Sequence, residues 1–283
     1  MAHASFASLL ADATARGSLG AAVIALEAEE TGVPAGRIEA RFAEALGVME
    51  DAVSRGLSGE ARSRSGLVGG DAAKVSAEAP RLFGEGFDTA LAAALATGEV
   101  NAAMGRIVAA PTAGASGVLP ALLLTTAQRT SASREQVVSA LAAAGGIGGV
   151  IAARATLSGA SGGCQAEVGS GAAMAAAAAT ELAGGSPEQA GHAAALALQG
   201  LLGLVCDPVA GLVEVPCVVR NATGAAVAMA AVEMALAGVI FPIPLDEVID
   251  ALGAVGRSLP PSLRETALGG LAATPTGRSC CGG

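Results

Sequence analysis

The chain has no tryptophan, no tyrosine, five phenylalanines, two histidines and a single lysine among 283 residues. Without large aromatics, its interior must be filled by Ala, Val, Leu, Ile and Gly, which favours helices packed closely backbone to backbone. The absence of a basic run and of a stacking platform, together with a net charge of −9, argues against nucleic acid as a partner. Charge is scarce too. Only 14% of residues are Asp, Glu, Lys or Arg against 52% hydrophobic, so much of the chain must leave water. The length suffices for one large domain or two small ones with a sizeable core.

A mean hydropathy of +0.58 makes membrane insertion the first alternative. The longest uncharged stretches, Val137–Ala153 and Ala190–Val205, are rich in Ala and Gly rather than Leu, Ile or Phe. Neither carries an aromatic belt or clustered cations at one end, so both read as core helices of a domain outside the membrane. The segment Met1–Phe6 lacks a basic region and an apolar run. That predicts no export signal and a cytoplasmic protein. In that reducing compartment five cysteines are not expected to form structural disulfides, and they point to metal or redox chemistry.

Apolar periodicity predicts an all-α chain. Residues 1–58 read as two amphipathic helices forming an N-terminal layer, the second opened by Thr31-Gly32-Val33-Pro34 with Ile38, Phe42, Ala45, Leu46 and Met49 on one face. Residues 59–283 form the remaining helical region, continuous with that layer, with helices near 88–97, 118–130, 134–157, 166–183, 187–203, 222–239 and 245–256. Ser133-Arg-Glu-Gln136 and Ser186-Pro-Glu-Gln189 fit capping boxes. Glycine-rich interruptions at 65–71, 110–117, 158–164 and 206–211 are where backbone can approach a ligand, and those leading into helices would aim free N–H groups at an anion.

Cys164 follows two glycines, Cys206 precedes Asp207-Pro208, and Cys217 follows Pro216. Proline holds the last two thiols on irregular backbone beside helix ends. The separations do not match the short paired spacing of zinc ribbons, and no histidine cluster completes a zinc site. Three thiolates suit an iron–sulfur cubane with one iron left open. On spacing alone, inert buried thiols explain the three equally well.

The flanking residues carry more. Gly-Gly-Cys-Gln-Ala-Glu-Val-Gly at 162–169 and Cys-Asp-Pro-Val-Ala-Gly-Leu-Val-Glu-Val-Pro-Cys at 206–217 resemble the cluster motifs of the iron–sulfur L-serine dehydratase alpha chain. The resemblance extends to Ser65-Gly-Leu-Val-Gly-Gly-Asp71, to the string from Asn101 through Pro111-Thr112-Ala-Gly114, and to Gly269–Gly277. It implies a [4Fe-4S] cluster on Cys164, Cys206 and Cys217. It also implies substrate contacts from Ser65, Gly66, Asp71, Asn101, Thr112, Gly114, Ser116 and Gly117. The Gly-rich loops at helix starts would then form one cluster and substrate pocket.

The chemistry implied is elimination of water from L-serine to give pyruvate and ammonia. An open iron would act as Lewis acid on the β-hydroxyl, while Thr112, Ser116 and backbone N–H groups of their loop would hold the carboxylate. A base is also required. The histidines are His3, near the terminus, and His192, inside an Ala-rich helix where a packed or surface role is the ordinary one. Two-chain members of the resembled family carry a Ser-Ser-His-Thr motif on a separate β chain, which implies that this chain works with a β subunit. Lys74, the sole lysine, is the only Schiff-base candidate and a weak catalytic one. With no strand–helix alternation around it, pyridoxal phosphate is not expected. The tail Cys280-Cys281 offers either a further cluster ligand or exposed reactive thiols. Two other functions keep the cysteines but change the outcome: a cluster-dependent L-cysteine desulfidase, and a non-catalytic iron–sulfur redox or sensor module.

Overall fold

The computed structural model describes residues 4–80 and 82–280. Among these residues thirteen α-helices run in the order α1 (Phe6–Arg16), α2 (Leu19–Thr31), α3 (Ala35–Leu57), α4 (Asp71–Ala77), α5 (Glu85–Ala102), α6 (Val118–Thr130), α7 (Arg134–Arg154), α8 (Gly159–Gly162), α9 (Ser170–Leu182), α10 (Pro187–Gln199), α11 (Cys217–Leu236), α12 (Leu245–Ser258) and α13 (Pro275–Ser279). Among the described residues there is no strand, only an isolated parallel bridge between Cys206 and Arg264. The fold is all-α, as the periodicity predicts.

At its centre lies α9, whose residues from Ser170 to Thr180 are all buried. It packs against α6, α7, α10 and α11. The alanine run explains this placement, since methyl side chains let four neighbours come close without leaving voids. Both predicted capping boxes are present, at Ser133 with Gln136 and at Ser186 with Gln189. Among the described residues, α7 is the single helix long and apolar enough by itself to cross a membrane, and most of that stretch is buried in the fold.

The N-terminal layer differs in detail from its prediction, with three helices in place of two. Gly17 ends α1, and the Ser18 side chain caps the Ala21 N–H to start α2 afresh. Carboxylates from distant helices fasten the layer. Asp246 accepts from the Phe6 and Ala7 N–H groups at 2.8 and 3.1 Å. Glu181 accepts from Leu19 and Gly20 at 2.7 and 3.2 Å. Each places negative charge on otherwise unpaired donors at a helix N-terminus. Phe6, Leu9, Leu19, Leu46 and Met49 join the same core cluster as Ile147, Leu198 and Leu252.

The predicted helix at 88–97 runs longer, Glu85–Ala102, and that at 187–203 ends at Gln199, while three further differences fall at site-bearing segments. The predicted helix from 222 begins instead at Cys217, because Pro216 serves as its N-cap. The predicted helix from 166 opens with a π-helical turn, Gln165–Gly169. The short α4 after Gly70 was not legible, since its seven residues carry no full apolar period.

Helix α3 offers a paired test of this packing. Nothing lies within 4 Å of a Cβ built at Gly36, whereas one at Gly56 would meet the Ala96 carbonyl oxygen at 2.3 Å. Gly36→Ala is expected to stabilise by up to about 1 kcal/mol through helix propensity. Gly56→Ala is expected to destabilise by about 1–3 kcal/mol through overpacking against α5. Denaturant unfolding of the two variants reads both signs.

Candidate metal centre

Three chain segments meet at the sulfur atoms. The first is Gly163-Cys164 and the π-helical turn that follows it. Gln165, fully buried, secures this turn by donating from its amide to the Leu252 carbonyl at 3.2 Å and accepting from the Gly203 N–H at 2.9 Å. A π-helical turn inserts an extra residue per turn, and such turns are frequent at functional sites. Here the turn presents Glu167 beside Cys164. Gly159 lets them approach: a Cβ there would come 2.4 Å from Glu167 Oε2 and 3.1 Å from Cys206 Sγ.

Cys206 lies on extended backbone in the second segment. Its N–H donates to the Leu263 carbonyl at 2.9 Å, and its own carbonyl accepts from Glu265 at 2.7 Å. The third segment begins at Cys217, the first residue of α11, which places Arg220 and Asn221 one turn further on the same helix.

Cys164, Glu167 and Cys206 offer ligand atoms that all lie within 4.8 Å of one another. Cys217 is outside that group, yet it is buried and feels the charges of Cys164 and Glu167. The environments differ. A hydrogen bond with Cys206 and the Arg220 charge hold the Cys164 thiol below the ordinary range, against the opposing effect of burial. Cys206 is pushed up, by the same bond with Cys164 and by burial. Burial first, then the Cys164 charge, pushes Cys217 up to about 12. The Cys164 and Cys206 shifts thus run in opposite directions across one shared hydrogen bond, with Arg220 on the Cys164 side.

Glu167 accepts a hydrogen bond from Thr112 Oγ1 at 2.8 Å. Burial raises its pKa, and the Thr112 bond offsets only part of that. The Thr112 loop is in turn tied to α11 by Asn221, which accepts from the Gly117 N–H at 2.8 Å and donates to the Gly114 carbonyl at 2.8 Å and the Cys217 carbonyl at 2.9 Å. Of the residues expected to touch substrate, Thr112 and Gly114 therefore stand at the centre. Ser116 does not present its hydroxyl: it is fully buried and bonded to the Ala113 carbonyl at 2.8 Å. The Gly117 N–H is likewise engaged, by Asn221. Ser65, on the exposed turn with Gly66, donates to Glu214 Oε2, within the string that joins Cys206 to Cys217.

Asp71 heads α4, where its N–H and that of Ala72 donate to Glu99 Oε1 at 2.6 and 3.1 Å. Its carboxylate pairs with Lys74 at 2.7 Å, and the Lys74 side chain is 76% exposed. No hydrogen bond or ion pair among the described residues joins Lys74, Asn101 or His192 to the thiols. Cys280 is exposed at the end of α13. Cys281 and His3 lie outside the described residues.

Glu167, Asp207, Asn221 and Arg220 were not picked out from the sequence. Glu167 and Asp207 stand inside the cysteine strings. Arg220 and Asn221 become legible only once α11 is known to start at Cys217, which puts them at helical spacing from a thiol.

A sequence profile of the family described as "Serine dehydratase alpha chain" matches residues 14–272. The chain belongs to this family. The probable L-serine dehydratase alpha chain of Bacillus subtilis is 56% identical over 236 residues, covering 82% of this chain and 78% of that one. The L-serine dehydratase alpha chain of Peptoniphilus asaccharolyticus is 51% identical over 197 residues, covering 70% of this chain and 68% of that one. L-serine dehydratase 1 of Escherichia coli is 46% identical over 181 residues that make up 40% of its length. The matched residues take in Cys164, Cys206 and Cys217.

Two outcomes follow for the metal-free chain. Asn221 is 1% exposed and holds three backbone groups. Asn221→Ala, which strands the buried Gly117 N–H, is expected to lower stability by about 1–3 kcal/mol in urea unfolding. Because the folded chain raises the Glu167 pKa, it favours the protonated acid, and this contribution is lost as pH rises from the ordinary carboxylate range through the raised value. Glu167→Gln stays neutral and still accepts from Thr112. It should melt higher than the parent at neutral pH and lose that advantage near about pH 4. A gain independent of pH would contradict the burial argument.

Proposed function

We propose that this chain is the metal-carrying alpha subunit of an L-serine dehydratase, with Cys164, Cys206 and Cys217 holding an iron–sulfur cluster and the Thr112 loop receiving substrate beside it. The observation that carries this reading is the meeting of two buried thiols from distant segments with the half-buried carboxylate of Glu167, and a third thiol at the head of the adjoining helix. The donors fit. They are soft sulfurs with no histidine among them, and the missing side chain of Gly159 leaves room where a Cβ would strike both Glu167 and Cys206. A cluster bound there with one iron open supplies a Lewis acid for the β-hydroxyl that leaves.

The chain's own residues do the rest of its share. The turn from Thr112 to Ala115 is anchored through Asn221 to the helix that bears Cys217, so substrate and metal are positioned by one rigid element. Backbone N–H groups at the head of that turn serve as donors to the substrate carboxylate, in place of the Ser116 hydroxyl and the Gly117 N–H that are engaged elsewhere. Thr112 orients Glu167 at the edge of the site. Elimination also removes the proton on Cα, and among the described residues no histidine is bonded to the thiols. His192 lies on α10 beside Glu188. The base is therefore assigned to a β subunit, and the chain works in the cytoplasm as one part of a heteromer.

Anaerobic purification with iron and sulfide assays, followed by serine turnover with and without the β chain, tests this reading. Bound iron and sulfide, and pyruvate formation that needs both chains, are expected. A colourless chain that takes up neither element on reconstitution would overturn it. Cys164→Ser and Cys206→Ser should each abolish iron retention and turnover, whereas Cys281→Ser should retain both. Equal loss in all three would mean that the ligand set is wrong.

A further inference from the structure

One nitrogen of Arg220 reaches all the segments of the centre. Its NH1 donates to Cys164 Sγ at 3.5 Å, to the Val205 carbonyl at 2.9 Å, and pairs with Asp207 Oδ1 at 2.7 Å. Val205 and Asp207 are the neighbours of Cys206 on either side, and Arg220 itself stands one helical turn beyond Cys217. A single guanidinium thus touches one thiol directly, meets the backbone carbonyl before the second and the side-chain carboxylate after it, and rides the helix of the third.

The pair is built into the fold. The Arg220 side chain is 15% exposed and that of Asp207 only 3%. The second Asp207 oxygen accepts from the Leu271 N–H at 2.7 Å, directly under Gly270, where a Cβ would come 2.2 Å from that oxygen. The Leu271 backbone therefore fixes one oxygen of Asp207 and keeps the other beside the Arg220 guanidinium. Neutralising Asp207 alone would not require contact with a thiol sulfur, nor with the Val205 carbonyl.

We propose that Arg220 is the positioning residue of the metal centre, fixing the Cys164 sulfur and supplying the buried counter-charge that sets how firmly the cluster is held and at what potential it accepts an electron. The inference rests on the reading of the three cysteines as cluster ligands. Two physical arguments carry it. Groups that orient a metal ligand by hydrogen bonding change metal affinity when removed, by roughly 10–100-fold. An N–H donated to a ligating sulfur, with a positive charge behind it, stabilises the more negative, reduced state of a cluster and so raises its reduction potential.

The test compares the full parent chain with Arg220→Gln and Arg220→Lys after anaerobic reconstitution with iron and sulfide. The readouts are the midpoint potential, from a mediated dithionite titration followed by electron paramagnetic resonance, and the rate of iron loss to a chelator. Arg220→Gln should shift the potential to a more negative value and weaken iron retention by roughly 10–100-fold. Arg220→Lys keeps the charge but not the planar fork, so it should fall between the two. A loaded Arg220→Gln chain with the parent's potential and retention would overturn the proposal while leaving the cluster reading intact. A parent chain that takes up no iron would overturn both. Should circular dichroism show that the Gln variant does not fold, the Lys variant decides alone: an altered potential or retention supports the assignment, and parental values of both overturn it.

Discussion

Two thiols and the Glu167 carboxylate lie within 4.8 Å of one another with the buried Asp207 carboxylate close by, and acidic groups so placed are unfavourable when ionised unless a cation joins them. Arg220 is that cation. Its contacts reach Cys164 and both neighbours of Cys206 from a helix that begins at Cys217. The remaining architecture keeps this arrangement in register: Asn221 ties the same helix to the Thr112 loop, and Asp207 ties the pair to the Leu271 backbone. Helix α11 is thus both a wall of the core and the bracket on which the centre is assembled.

The near absence of aromatics shapes the rest. An alanine-lined α9 surrounded by four helices makes a core of short side chains, in which rigidity comes from backbone proximity rather than from large interlocking groups. Chemistry is displaced to the edges of that core, where helices start or change pitch. Cys164 precedes a π-helical turn, Cys217 opens a helix, and Cys206 lies on the one bridged segment. Placement at the ends of rigid elements suits a site that must hold a metal and a small substrate in fixed relation.

Much of this was legible in the residues themselves. The capping boxes at Ser133 and Ser186 rest on local chemistry that reads the same in a peptide as in a fold. The cysteine strings, with glycine and proline beside each thiol, marked the segments that meet, and the likeness to a dehydratase family was visible in their order. The break at Gly17-Ser18 was local too, but the apolar pattern runs on across it and masks the cap. Ser116 shows the reverse case. A hydroxyl in a glycine-rich loop reads as a ligand donor, yet its bond to the Ala113 carbonyl turns it inward.

What the sequence determined by itself was the all-α class, the small-residue core and the set of segments that carry chemistry, because periodicity, caps and motifs are properties of neighbours along the chain. Which residues face one another across those segments was decided by tertiary structure alone. Glu167 beside Cys206, Arg220 between Cys164 and Asp207, and Asn221 across from Gly117 all join positions far apart in sequence. Each is an ordinary polar residue until packing limits its access to water and leaves specific partners from other segments to supply its hydrogen bonds and counter-charge.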